Sequence, residues 1–93
     1  MQTTKVEGKH IKALTLFALS TCIWCKKVKQ LLEDLGVAYE FIYIDLLDDA
    51  KQAEALRTLE TFNPRESFPT LVIDNKDCVV GFKPQEIRGK LGI

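Results

Sequence analysis

The stretch "STCIWCKKVKQLLEDLG", residues 20–36, decides the fold. Val28, Leu31, Leu32 and Leu35 recur at i, i+3, i+4 and i+7, the apolar stripe of an amphipathic helix. Gly36 stands where a left-handed C-cap is wanted. Immediately upstream, "IKALTLFAL" (residues 11–19) is β-like and apolar on both faces, which predicts a central strand covered by helices on each side. Cys22 therefore follows a strand, and Cys25 falls in the first turn of the helix after it.

Working outward, "AYEFIYID" (residues 38–45) is aromatic and β-branched and predicts a second strand. Asp48 is an N-cap candidate for a second helix, with Ala53, Leu56 and Leu59 or Glu60 at helical spacing. "TLVID" and "CVVGF", separated by "NKD", predict a hairpin. Pro84 at a first helical position, with Ile87 and Leu91 four apart, starts a last short helix. The order is β-α-β-α-β-β-α, an α/β class with one parallel strand pair and an antiparallel edge hairpin.

A chain of 93 residues predicts a single domain spanning 1–93, with residues 1–10 as a polar N-terminal lead. Thirteen basic residues balance thirteen acidic ones, and no long basic run appears, which argues against nucleic acid or an anionic membrane as partner. The lead has no apolar signal-like core, and the longest apolar run is too short to span a bilayer. A cytoplasmic monomer is expected. In that compartment structural disulfides are rare, so a close cysteine pair points to chemistry.

Residues three apart on a helix share a face, so the sulfurs of Cys22 and Cys25 can meet and form a disulfide. The helix N-terminus supplies unpaired backbone N–H groups and positive dipole character, which favour a thiolate over a thiol. Cys22, nearer that end, is the expected nucleophile, with Lys26 and Lys27 adding positive charge, and Cys25 is expected to resolve the mixed disulfide. A zinc set of Cys22, Cys25, Cys78 and His10 is the rival, weakened by the lack of a second closely spaced ligand pair. A non-enzymatic iron–sulfur or zinc module stands with it as the alternative function. Otherwise His10 reads as an exposed residue of the lead and Cys78 as a small core or edge residue.

With "TCIWCKK" after a strand, "SFPT" (residues 67–70) opening the third strand and "VVGF" (residues 79–82) before the last helix, the chain resembles the glutaredoxin family of the thioredoxin fold. The resemblance implies a mixed four-stranded sheet flanked by three helices, and a dithiol oxidoreductase with no bound cofactor. It further implies a cis Pro69 facing the cysteines, with the backbone of Phe68 offered to a peptide or glutathione as a short strand-like ladder. Disulfide or glutathionylated proteins are the implied substrates and glutathione the implied reductant. Trp24, Lys26, Phe68, Pro69, Gly81 and Phe82 are the candidate substrate-binding residues.

Several positions depart from the family pattern. Ile23 and Trp24 stand where many glutaredoxins have proline and tyrosine, so the potential does not carry over. Leu19 replaces a glutathione-binding lysine, and Gly81-Phe82-Lys83-Pro84 replaces a Gly-Gly-acidic segment. "GFKP" is similar instead to redoxins that serve ribonucleotide reductase and take electrons from thioredoxin reductase, the alternative donor. Arg65 or Lys26 remains as a carboxylate partner for glutathione.

Overall fold

The computed structural model describes residues 2–93. The chain runs β1 (Thr4–Val6), β2 (Leu14–Ala18), α1 (Ile23–Asp34), β3 (Tyr39–Tyr43), a 3₁₀ turn (Ile44–Leu46), α2 (Asp49–Glu60), β4 (Thr70–Ile73), β5 (Asp77–Val80) and α3 (Pro84–Leu91). Side chains alternate across β2. Leu14, Leu16 and Ala18 join Cys25, Val28 and Leu32 of α1 and Ile87 and Leu91 of α3 on one face of the sheet. Phe17 points the other way, into a smaller cluster with Ala55 and Leu59 of α2. A strand buried on both sides is thus the consequence of having helices on both, and matches its largely apolar character, Thr15 being its one polar residue.

The strands lie in the order β1-β3-β2-β4-β5. Strands β2 and β3 are parallel through α1, and all other neighbours are antiparallel. The sheet has five strands, one more than the four expected. The extra strand comes from the polar lead, where Thr4, Lys5 and Val6 lie opposite Phe41, Glu40 and Tyr39. The register sets Lys5 opposite Glu40, unlike charges across the strand pair, and no apolar periodicity announces a three-residue strand.

The lead is fixed further by Lys9, whose N–H donates to Gly36 C=O at 2.8 Å and whose C=O accepts from Ala38 N–H at 2.9 Å. Gly8 makes that approach possible, because a Cβ there would lie 2.6 Å from the Val37 carbonyl carbon. Gly8→Ala is expected to cost about 1–3 kcal/mol by overpacking against main chain. The check is the denaturation midpoint of the variant, and an unchanged midpoint would mean that the lead is held loosely.

Helix ends follow the chemistry of their residues. Gly36 adopts φ 70° just past α1, the left-handed closure its position called for. Asp48 caps α2 by accepting the Lys51 N–H at 2.8 Å. On α2 the inward face differs from the expected one, since Ala53 is exposed while Ala55 is fully buried and Leu56 half-buried. The stripe begins one turn from Gln52, whose side chain donates to Ile44 C=O at 3.0 Å.

Candidate active site

Cys22 is the N-cap of α1, with extended backbone angles and a sulfur that accepts the Cys25 N–H at 3.2 Å. The position that usually takes serine or aspartate to satisfy an orphan donor takes a thiol here. A backbone donor and the positive end of a helix are therefore aimed at the Cys22 sulfur, an arrangement that stabilises negative charge on it. The Cys22 C=O accepts from Lys26 N–H at 3.1 Å, and its N–H donates to Leu19 C=O at 3.2 Å, so both backbone groups of Cys22 are engaged.

Cys25 sits one turn in and has no exposed surface, packed within the same cluster as Val28 and Leu32. Burial, reinforced by the contact with the Cys22 sulfur, pushes its thiol up to about 12. The two sulfurs are thus unlike in access and surroundings, the half-buried one at the helix tip and the other in the core.

Ser20 braces the approach to the pair. Its N–H donates to Asp45 Oδ1 at 2.8 Å and its hydroxyl donates to Oδ2. These two bonds, the hydroxyl's foremost, hold the Asp45 carboxyl below its usual value and tie the end of β2 to the turn after β3. Asp45 was legible in the sequence only as the end of a strand.

Two loops complete the surface. The Phe68–Pro69 peptide bond is cis, and Pro69 C=O accepts the Gly81 N–H at 2.8 Å, which ties the loop before β4 to the loop after β5. Among the described residues, neither backbone group of Phe68 has a backbone partner. Cys22, Phe68 and Phe82 all pack, half-buried, against the cluster that holds Cys25. Phe82 stacks on Trp24 with centroids 6.2 Å apart and planes 27° apart, and Lys27 Nζ lies 5.5 Å from the Trp24 ring. Trp24 and Ile23 remain 54% and 62% exposed, so the cysteine helix begins with apolar surface facing solvent.

Lys26 and Arg65 are exposed, and Arg65 engages the protein through its backbone N–H, which donates to Asn63 Oδ1 at 3.2 Å. Cys78 belongs to the opposite face of the sheet, beside the α2 cluster, where its sulfur donates to Phe62 C=O at 3.4 Å. Burial pushes that thiol up, with Asp77 adding to it. His10 is exposed in the segment after β1. The set Cys22, Cys25, Cys78 and His10 is not brought together, and among the described residues no group of three or more His, Cys, Asp or Glu is placed to hold a metal ion.

A cysteine pair at the start of the helix after the central strand of a mixed sheet, with helices on both sheet faces and a proline bend alongside, defines a protein of the thioredoxin fold. The same architecture is found in the glutaredoxin of Methanosarcina mazei Go1, at a TM-score of 0.92 and 42% identity over 100% of this chain and 90% of that one. Methanosarcina acetivorans methanoredoxin matches at 0.92 and 40%, over 100% and 97% of the two chains. The chain belongs to the glutaredoxin family, whose model matches residues 14–78. An uncharacterised glutaredoxin-like 8.6 kDa protein in the rubredoxin operon of Clostridium pasteurianum is 31% identical over 74 residues, which cover 80% of this chain and 91% of that protein. Its family relatives are thiol oxidoreductases.

Proposed function

We propose that the protein is a dithiol thiol–disulfide oxidoreductase. The observation that carries this is the inequality of the cysteines, with Cys22 capping the helix at the surface and Cys25 held in the core. The Cys22 thiolate attacks one sulfur of a substrate disulfide or a glutathionylated protein, forming a mixed disulfide and expelling the other sulfur as a thiolate that takes a proton from water. Cys25 then loses its proton and attacks the Cys22 sulfur. The second substrate thiol leaves, the Cys22–Cys25 disulfide forms, and two electrons have passed from protein to substrate.

No bound cofactor enters this scheme, because both electrons come from the two sulfurs. In it Phe68 offers its unpaired backbone to the substrate chain, Pro69 and Gly81 hold that backbone in place, and Trp24 and Phe82 form an apolar wall beside it. Lys26 supplies positive charge at the helix start. The reading places the protein in the cytoplasm, where cysteine pairs are kept reduced, and takes it to act as a monomer. No helix among the described residues is long and apolar enough to cross a membrane.

Glutathione is the reductant in the first version of this reading, with Lys26 or Arg65 meeting a glutathione carboxylate. Thioredoxin reductase is the second, favoured by Leu19 and by the "GFKP" segment, where Phe82 lies on Trp24 and leaves an aromatic pair at the site. The test is NADPH consumption by the oxidised protein, with glutathione plus glutathione reductase in one arm and thioredoxin reductase alone in the other. Turnover in one arm assigns the donor. Failure in both arms, together with no transfer from the chemically reduced protein to a disulfide, would overturn the oxidoreductase.

A further inference from the structure

Two polar residues are buried among the described ones, Asn63 at 6% exposure and Thr70 at 0%. They are bonded to each other, Asn63 Nδ2 donating to Thr70 Oγ1 at 3.0 Å. The same amide nitrogen reaches Ser67 Oγ at 3.0 Å and Ser67 C=O at 3.4 Å, and the Thr70 hydroxyl donates to Ser67 C=O at 2.8 Å. Ser67 immediately precedes Phe68, and Thr70 immediately follows Pro69. One buried amide thus grips both ends of the Phe68–Pro69 bend.

Asn63 is itself anchored. Its N–H donates to Leu59 C=O at 2.8 Å, which refers the loop to a fully buried residue of α2. Its C=O accepts the Glu66 N–H at 2.9 Å, closing a loop in which Glu66 takes φ 51°, a left-handed conformation uncommon away from glycine. An apolar side chain of the same size would fill this space without the cost of desolvating an amide. What the amide adds is direction, since a fully satisfied buried polar network specifies one arrangement of the segments it joins.

We propose that Asn63 is a positioning residue for substrate. It fixes the backbone of Phe68 where an extended peptidyl disulfide pairs with it, and so sets the preference for peptide over non-peptide disulfides without taking part in the thiol chemistry. None of its hydrogen bonds reaches either Cys22 or Cys25. The inference rests on the reading above, in which Phe68 receives the substrate chain.

The experiment is single-turnover oxidation of the reduced full chain, followed by intrinsic tryptophan fluorescence, which needs no choice of electron donor. Wild type, Asn63→Ala and Thr70→Val are each mixed with a cystine-bridged peptide and with bis(2-hydroxyethyl) disulfide. The expected result is a roughly five- to tenfold fall in the ratio of peptide to non-peptide rate constants in both variants, the size set by losing one or two net hydrogen bonds. The rate constant with the non-peptide disulfide stays within about twofold of wild type. Should Asn63→Ala fail to fold, Thr70→Val carries the same expectation alone. An unchanged ratio, or an equal fall with both disulfides, overturns the positioning role while leaving the oxidoreductase intact. A wild type that reacts with neither disulfide overturns both.

Discussion

Cys22→Ser is expected to abolish turnover, a fall of about 10³-fold or more, because a serine hydroxyl is a far poorer nucleophile toward sulfur than a cysteine thiolate. Cys25→Ser is expected to differ in kind. It leaves the capping sulfur in place, so the first attack proceeds and the mixed disulfide at Cys22 accumulates for want of a second sulfur. Mass spectrometry under non-reducing conditions reads this as the mass of the substrate half carried on the variant. In the wild-type chain, brief alkylation at neutral pH should label Cys22 ahead of Cys25, which is inaccessible and pushed up to about 12. Full turnover by Cys22→Ser, or prior labelling of Cys25, would reverse the assigned roles.

Raising the pH should destabilise the reduced protein more steeply than the oxidised one. The Cys25 thiol rises from an ordinary 9.0 in the unfolded chain to about 12 in the folded one, chiefly through burial. Below 9.0 both states hold the proton and the stabilisation is fully present. Above it the unfolded chain releases its proton first, so the contribution is lost as pH climbs through the folded value. Tyr39 acts in the same direction higher up, its hydroxyl raised above 10.0 by burial and by donating to Glu33. The oxidised form has no Cys25 proton to lose and keeps only the shares of Cys78 and Tyr39, which the reduced form carries as well. The gap between oxidised and reduced denaturation midpoints should therefore widen from about pH 8 to about pH 10.5. A gap that stays constant would show that Cys25 titrates no differently in the two states of the chain.

How much of this could be read in advance depended on whether a residue acts through its neighbours in sequence or across the fold. Val28, Leu32, Ile87 and Leu91 announce their buried faces by spacing alone, and all four are buried. The cysteine pair declares itself by its place between strand and helix. The strand at Thr4–Val6 is silent because it pairs with distant β3 and follows from Gly8 yielding room to Val37, neither of which leaves a periodic trace. Ala53 and Ala55 differ only in which way the helix is turned, and Gln52 bonding to Ile44 settles that from outside the helix. Asn63 beside a proline reads as an ordinary turn residue. Its role becomes visible only when Ser67 and Thr70 close around it. The Trp24–Phe82 stack likewise joins the first turn of α1 to the loop after β5, which nothing local connects.

The short first strand bears on how the molecule behaves at high concentration. Any outermost strand offers a row of free N–H and C=O groups on which a second molecule can template itself. Without Thr4–Val6 that border would be β3, whose Tyr39, Phe41 and Tyr43 form an aromatic ladder, a sticky invitation to edge-to-edge association. Three residues, with Thr4 and Lys5 exposed, replace it by a border too short and too charged to be extended. The polar lead is in this sense a guard against polymerisation, and a chain trimmed past Gly8 would give up solubility along with a strand.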